Sequence, residues 1–451
     1  MKSITQRKWV MGLTQLLYLS ILITPYAPPV FLFLIGIITI FIYREKWPLL
    51  SWPENIFLGF VLLSAISWAV SPSWYQITTE PVPIQSFPVG IVPVFLFVTY
   101  YLLTVWIKGI VKWSPAEVRR MYIYFWLGGL YVVAVVLIQQ MSGSMNGSEL
   151  LEHLLNFYRE NQWQSENPER SAGTAGNSNI TAAMLICFAL MSIYAQSVLY
   201  KRWQKITAFG VFLLFCYSIY LTGSRGAWVG LVVGLLVQIW MKGHRKITLA
   251  ILLSLGSVVA LFPSLIPRSD TILTTFQARM KIWKVAVEIF KEHWLIGALP
   301  LHFAQIFHQK TGEAVYHAHN VFLGIASEFG IIGFGLFVML IVVTMIRARR
   351  WRKLTNSKEE RCLAGMLVSL IIALLGQGMY DYPLLTPQVG LIFMLSIIII
   401  HSQYERALKM KNDGDLKYEV KSSKTLDFKP VSTFIIGMKN LFKSEHSRRL
   451  R

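Results

Sequence analysis

Charge is what this 451-residue chain is short of: Asp, Glu, Lys and Arg make up only 15% of it, against 54% hydrophobic residues. That balance, with a mean hydropathy of +0.50, excludes a water-soluble domain built around one core and points to repeated crossing of a membrane. Cysteine is scarce too. Cys187, Cys216 and Cys362 fall in or at the ends of apolar segments with neither pairing nor ligand spacing, which excludes a disulfide framework. No internal repeat of the inverted-repeat transporter kind is visible. The D-x-D pattern of metal-dependent sugar-nucleotide transferases occurs only as Asp413-Gly414-Asp415, in a Lys-rich tail far from every other candidate residue.

What charge there is follows a pattern. Apolar segments run over 10–26, 30–43, 55–71, 91–108, 121–141, 178–200, 205–222, 226–241, 247–262, 320–346, 362–380 and 387–402. Several are at the lower edge of the length needed to cross ~30 Å of hydrocarbon. Lys and Arg collect in alternate gaps between these segments and in the C-terminal tail, which together hold 34 of the 43. By the positive-inside rule these gaps and both termini are cytoplasmic. The same rule accounts for the formal charge of +20, so nucleic acid is not implied as a partner. The basic, apolar start lacks a small-x-small cleavage site at Thr24 to Pro29 and reads as a retained first helix pair.

The expected fold is all-α: a polytopic membrane helix bundle of about 12 transmembrane helices with one larger outer loop subdomain. Residues 1–141 form the N-terminal transmembrane helices and 142–262 the central ones. Residues 263–319 are a large extracytoplasmic loop, 320–402 the C-terminal transmembrane helices and 403–451 a basic cytoplasmic tail. The outer stretch 72–90 is Pro-rich and nearly uncharged, which suits an irregular loop on the membrane surface. In the large loop Phe276, Met280, Trp283 and Val287 recur at helical spacing, the stripe of an amphipathic helix. With no separate core to build, that helix is expected to rest on the interface or cap the bundle. The tail reads as a solvated segment or one held against anionic lipid.

Arginines kept on the side where basic residues are rare need a reason, and an anionic ligand supplies one. Gly223-Ser224-Arg225-Gly226-Ala227-Trp228 joins two apolar segments through a tight turn. It leaves Arg225 and Ser224 at a helix start, where a guanidinium and free N–H groups suit phosphate. Arg170 to Asn179 opens the sixth segment; there Asn177 or Asn179 can cap the helix, or with Arg170 make a polar cradle for sugar hydroxyls. His317-Ala318-His319-Asn320 precedes the tenth segment, and His319 is suited to removing a proton from an acceptor hydroxyl. No acidic or Cys partner lies at ligand spacing from these histidines, so no metal site is expected. Arg279 lies on the outer amphipathic helix. Glu328 is about 13 Å deeper than His319 and on nearly the opposite helical face, so it is a poor direct partner. Asp381 closes the eleventh segment and can orient a basic residue.

The Gly-Ser-Arg225-Gly-Ala-Trp turn resembles the O-antigen ligase/polymerase (Wzy/WaaL-like) family of bacterial envelope glycan transferases. So do His319-Asn320-x-x-Leu323 followed by Glu328-Phe-Gly330-x-x-Gly333, Arg279-x-x-x-Trp283 with Trp294-Leu-Ile-Gly297, and the Arg170–Asn179 run. The resemblance covers about 165–335. One departure is Trp294 to Leu299, where relatives have a Pro-Leu-x-Gly-x-Gly-like turn; it blurs the loop between Arg279 and His319. The resemblance implies a metal-independent, cofactor-free glycosyltransferase of the cytoplasmic (inner) membrane. Its donor would be a glycan on undecaprenyl diphosphate, its acceptor a second lipid-linked glycan or a lipid core. Flippase and chain-length regulator proteins would be partners. Arg225 and Arg279 would hold the diphosphate, His319 would orient or deprotonate the acceptor, and Arg170, Asn177, Asn179, Ser224 and Asn320 would bind substrate. Glu328, Asp381 and His317 would support them. Polymerase is favoured over ligase, and an anion transporter of bicarbonate type is the alternative from another class.

Overall fold

The fold was analysed in a computed structural model that describes residues 4–43, 50–70, 91–111, 113–141, 170–261 and 271–412. These are helical throughout, with no strand among them. In chain order the helices are α1 (Ile4–Ile23), α2 (Ala27–Ile42), α3 (Ile56–Val70), α4 (Val92–Val105), α5 (Pro115–Met141), α6 (Ser178–Val198) and α7 (Arg202–Leu221). There follow α8 (Arg225–Met241), α9 (Arg245–Leu261), α10 (Ile272–Glu292), α11 (Phe303–Thr311), α12 (Val321–Leu354), α13 (Lys358–Gln377) and α14 (Pro387–Asn412). The described residues up to Arg406 form one compact unit.

Each of the twelve apolar segments falls on a helix, but among the described residues seven stretches are long and apolar enough to cross a membrane. They contain α3, α4, α5, α6, α7, α12 and α14. Trp9–Ile23, Ala27–Ile42 and Arg225–Met241 are apolar but shorter. The expected count of about twelve is therefore not reached by length and composition. The segments 72–90 and 142–169, the start of the large loop and the tail beyond Asn412 lie outside the described residues.

Local signals set the helix starts. Pro28 and Pro93 occupy first-turn positions, where a missing N–H costs nothing. Asn177 and Asn320 cap α6 and α12 by accepting two backbone N–H groups each. Around α6, which is buried on nearly every face, the bundle closes tightly. A close approach joins α8 and α13, where glycines at Gly226, Gly230 and Gly234 repeat every four residues, the small-residue spacing of membrane helix pairs. A Cβ on Gly230 would stand 2.7 Å from the Ala373 carbonyl, and one on Gly234 2.8 Å from Ala373 Cβ. This antiparallel contact brings the start of α8 beside the end of α13, with Gly226 against Gln377 and Tyr380.

α12 is broken. Gly330 has φ 64° and ψ −167°, a conformation that is essentially glycine-only. In lipid, a broken helix must find other partners for its freed N–H and C=O groups. Here the segment after α10 supplies them. Ile331 N–H donates to the Trp294 carbonyl at 2.7 Å, and Ala298 N–H donates to the Ser327 carbonyl at 2.8 Å. The fit needs two glycines back to back: a Cβ on Gly297 would meet the Glu328 carbonyl carbon at 2.3 Å, and one on Gly330 the Gly297 nitrogen at 2.5 Å. The Trp294–Leu299 stretch is thus a turn spliced into the break.

The segment expected to be the outer loop corrects one expectation. Ile282, Val285, Ala286 and Ile289 of α10 pack with Ala298, Phe303, Phe307 and Ala318 into a small core of its own. Phe276 and Met280 of the expected stripe are exposed instead. Two apolar faces lie side by side on α10, and periodicity alone could not say which one closes.

At the opposite end a buried ionic cluster fastens four elements. Lys108 Nζ lies 2.8 Å from Glu54 and 2.6 Å from Glu405, and Arg347 Nη1 lies 3.0 Å from Glu54. Two cations match two anions, as burial requires.

Two outcomes are expected. Gly230→Leu should destabilise the detergent-solubilised protein by about 1–3 kcal/mol through overpacking, whereas Gly210→Leu, with nothing within 4 Å of its Cβ, should leave the melting curve unchanged. Gly330→Ala should open the splice and make the 293–302 segment a site of rapid limited proteolysis.

Candidate functional site

The helix starts and loops singled out in the sequence meet at one end of the bundle. The His317–Asn320 segment and the Gly378–Thr386 segment lie side by side, joined by Val321 N–H to the Gly378 carbonyl at 2.7 Å and Asn320 Nδ2 to the Met379 carbonyl at 3.0 Å. Across this junction His319 Nδ1 sits 3.1 Å from Asp381 Oδ1. His319 is one of two non-glycine residues with positive φ among the described residues, at 45°, the other being Leu301 at 67°. Such a conformation costs about 1–2 kcal/mol. It holds because the His319 N–H donates to His317 Nδ1 at 3.2 Å.

That bond also fixes chemistry. With Nδ1 of His317 accepting, its proton is on Nε2, which points toward Asp381 Oδ1 at 3.9 Å. Burial, helped by His319 and Arg279, lowers the His317 pKa to about 3, so the ring is neutral at physiological pH. Burial alone would raise the Asp381 pKa. The hydrogen bond and charge of His319, the charge of His317 and the Tyr382 N–H at 2.8 Å outweigh it and hold the carboxyl well below the usual range. Asp381 is therefore an anion that orients His319 with Nδ1–H toward itself and leaves Nε2 as the basic atom.

The arginines converge on the same end. Arg225 is the first residue of α8 and donates through Nη2 to Thr275 Oγ1 at 2.8 Å, one turn before Arg279 on α10. Arg279 is close enough to His317 to depress its pKa. The α8 start carries no side-chain cap from the buried Ser224. Arg170 acts as a brace. Its Nε donates to the Thr222 carbonyl at 2.7 Å and its Nη2 to Asn179 Oδ1 at 2.7 Å, which steadies the turn that presents Arg225. Asn177 is occupied by its cap, so of the two readings of the 170–179 run the capping one is realised for Asn177. The surface depression lined by Val70 and Glu292–Leu299 lies beside the splice rather than between these residues.

One sequence expectation needs correction. An acidic partner does lie near the histidines: ligand atoms of His317, His319 and Asp381 fall within 4.8 Å of one another, close enough to hold a metal. Spacing along the chain missed it because Asp381 is 62 residues from His319. Proximity is not ligation, however. A metal on His317 Nε2 would displace its proton to Nδ1, where the His319 N–H already donates. Glu328 is buried in α12, and its Oε2 has no hydrogen-bond partner among the described residues. No sequence signal marked Tyr382, whose ring stands edge-on to His317 with centroids 6.2 Å apart.

No curated protein matches the chain. Residues 209–338 match the family model described as O-antigen ligase. The matched stretch runs from within α7 into α12 and so contains Arg225, Arg279, His317, His319, Asn320 and Glu328. Arg170, Asn177, Asn179 and Asp381 lie outside it and join the site through the fold. That match covers less than a third of a chain of apolar membrane helices, and over that stretch this integral membrane protein is similar to the O-antigen ligase family.

Proposed function

We propose that the chain is a metal-independent glycosyltransferase of the cytoplasmic membrane with both termini in the cytoplasm. It takes its glycan from an undecaprenyl-diphosphate-linked donor on the outer face and extends a cell-surface polysaccharide. The observation that carries this reading is the oriented His319–Asp381 pair beside Arg279, with Arg225 tied to the same helix through Thr275.

His319 Nε2 takes the proton of an acceptor hydroxyl as its oxygen attacks the anomeric carbon. The bond from that carbon to the phosphate oxygen breaks, and the diphosphate leaves with the electron pair. Arg225 and Arg279 neutralise the charge that grows there. Anionic Asp381 stabilises the imidazolium that forms. Diphosphate is a good leaving group, so one base and two guanidiniums suffice without a Lewis acid. Arg170, Asn177 and Asn179, fixed by their own hydrogen bonds, border the glycan path, and Ser224 and Asn320 flank the reacting groups. Flippase and chain-length regulator proteins are the partners such a polymerase works with.

The description of the matched family favours a second acceptor, a lipid core, which would make the enzyme a ligase. The chemistry is the same and the product separates them: a ladder of lengthening lipid-linked chains for a polymerase, a single glycan joined to a lipid core for a ligase.

Purified protein in detergent should convert the lipid-linked glycan, whereas an anion transporter would need a sealed vesicle. His319→Ala should lower the rate by about 10²-fold or more, and Arg225→Ala by roughly 10²–10³-fold, with unchanged melting curves. Full activity of both variants would refute the reading. Chelation with EDTA should leave the rate unchanged.

A further inference from the structure

We propose that Thr275 is a positioning residue for the donor: its hydroxyl holds the Arg225 guanidinium one helical turn from Arg279 without neutralising it, so that two guanidiniums address one diphosphate. This deepens the transferase reading above and rests on it.

Arg225 is held at its root and at its head. The root is the turn before α8. There Gly223 takes a left-handed φ of 61°, Arg170 Nε donates to the Thr222 carbonyl at 2.7 Å, and the Ser171 N–H donates to the Leu221 carbonyl at 3.2 Å. The head is the guanidinium, whose Nη2 donates to Thr275 Oγ1 at 2.8 Å. An arginine fixed only at its root keeps most of its rotamer freedom, so the second contact is what sets where the charge sits.

Thr275 is built to accept. Its own hydroxyl hydrogen is committed to the Thr271 carbonyl at 2.7 Å, one turn back. That leaves the oxygen's remaining lone pair to take the Arg225 N–H. The kind of acceptor matters. A carboxylate at this point would form an ion pair with Arg225 and cancel the charge that a diphosphate needs. A hydroxyl orients the guanidinium plane and leaves its charge intact. Thr275 and Arg279 are four residues apart on α10, and side chains so spaced start ~5–6 Å apart on one helix face. The Arg225 head is thus brought to the face of α10 that carries Arg279. The neighbouring Thr274 is exposed and donates to the same Thr271 carbonyl at 3.2 Å, which makes it a control for the helix itself.

The test is transfer by the full-length protein in detergent, with two readouts. One is kcat/KM for the lipid-linked donor. The other is inhibition by inorganic pyrophosphate, which carries the charge without glycan or lipid. Thr275→Val keeps the shape and removes the acceptor. It should lower kcat/KM and raise the half-inhibitory pyrophosphate concentration, each by roughly 10-fold, the scale of one hydrogen bond to a charged group. Thr275→Ser, which retains the hydroxyl, should restore both to within about twofold. Thr275→Asp offers a stronger acceptor but adds a negative charge, and should be worse than Thr275→Val in both readouts. Thr274→Val should match the wild type. In an Arg225→Ala background Thr275→Val should lose nothing further, a result that a general loss of structure would not reproduce. The inference is overturned by wild-type values in Thr275→Val, by a loss undiminished in the Arg225→Ala background, by a wild-type Thr275→Asp, or by a wild-type protein that pyrophosphate does not inhibit. Failure of the transferase reading looks different: Arg225→Ala and His319→Ala would both keep full activity. If those two are impaired while Thr275→Val is normal, only the positioning role fails.

Discussion

A bilayer offers no water to an unpaired backbone group, and the break in α12 at Gly330 has to be made good by protein. The segment after α10 does this by lending the Trp294 carbonyl and the Ala298 N–H to the two sides of the break. Much follows from that exchange. It moors the small core of α10 and α11, and therefore Arg279, to the helix whose first turn follows His319 and Asn320. Because both chains approach at glycine, the mooring is close and tolerates little displacement.

The glycine stripe of α8 does the same for the other half of the site. By letting α8 lie almost backbone to backbone on α13, it places Arg225 next to the segment that carries Asp381. Two unrelated packing solutions, one a spliced break and one a small-residue seam, thus deliver the arginines and the His319–Asp381 pair to a single end of the bundle. The local conformations there are costly: His319 and Leu301 both adopt positive φ, and the bond that the His319 N–H donates to His317 Nδ1 compensates the first. Strain concentrated beside the His319–Asp381 pair is the pattern that functional sites show.

Much of this was legible in the chain. Apolar runs located the helices, and the tight Gly-Ser-Arg turn and the Asn-capped helix starts marked the residues that the fold brings together. What was hidden depended on distance along the chain. Asp381 meets His319 only because Val321 pairs with Gly378 across two helix ends. Tyr382, whose ring stands edge-on to His317, carried no sequence signal at all. The small core of α10 escaped notice because two apolar faces adjoin on that helix and hydrophobic spacing singled out the more exposed one. Span number was obscured for a simpler reason: several apolar helices are shorter than a bilayer crossing by length alone.

The reaction proposed here requires the arginines and the His319–Asp381 pair to face the same compartment, opposite the ionic cluster of Lys108, Glu54 and Arg347. The direct measurement is labelling of intact cells with a membrane-impermeant thiol reagent, in a background where Cys187, Cys216 and Cys362 are replaced by serine. The exposed positions Gln277 and Met379 mark the site end, and Lys201 the opposite end. The account predicts that Gln277→Cys and Met379→Cys react in intact cells, while Lys201→Cys reacts only after permeabilisation. Labelling of Gln277→Cys and Met379→Cys from different sides, or of both only after permeabilisation, would contradict it.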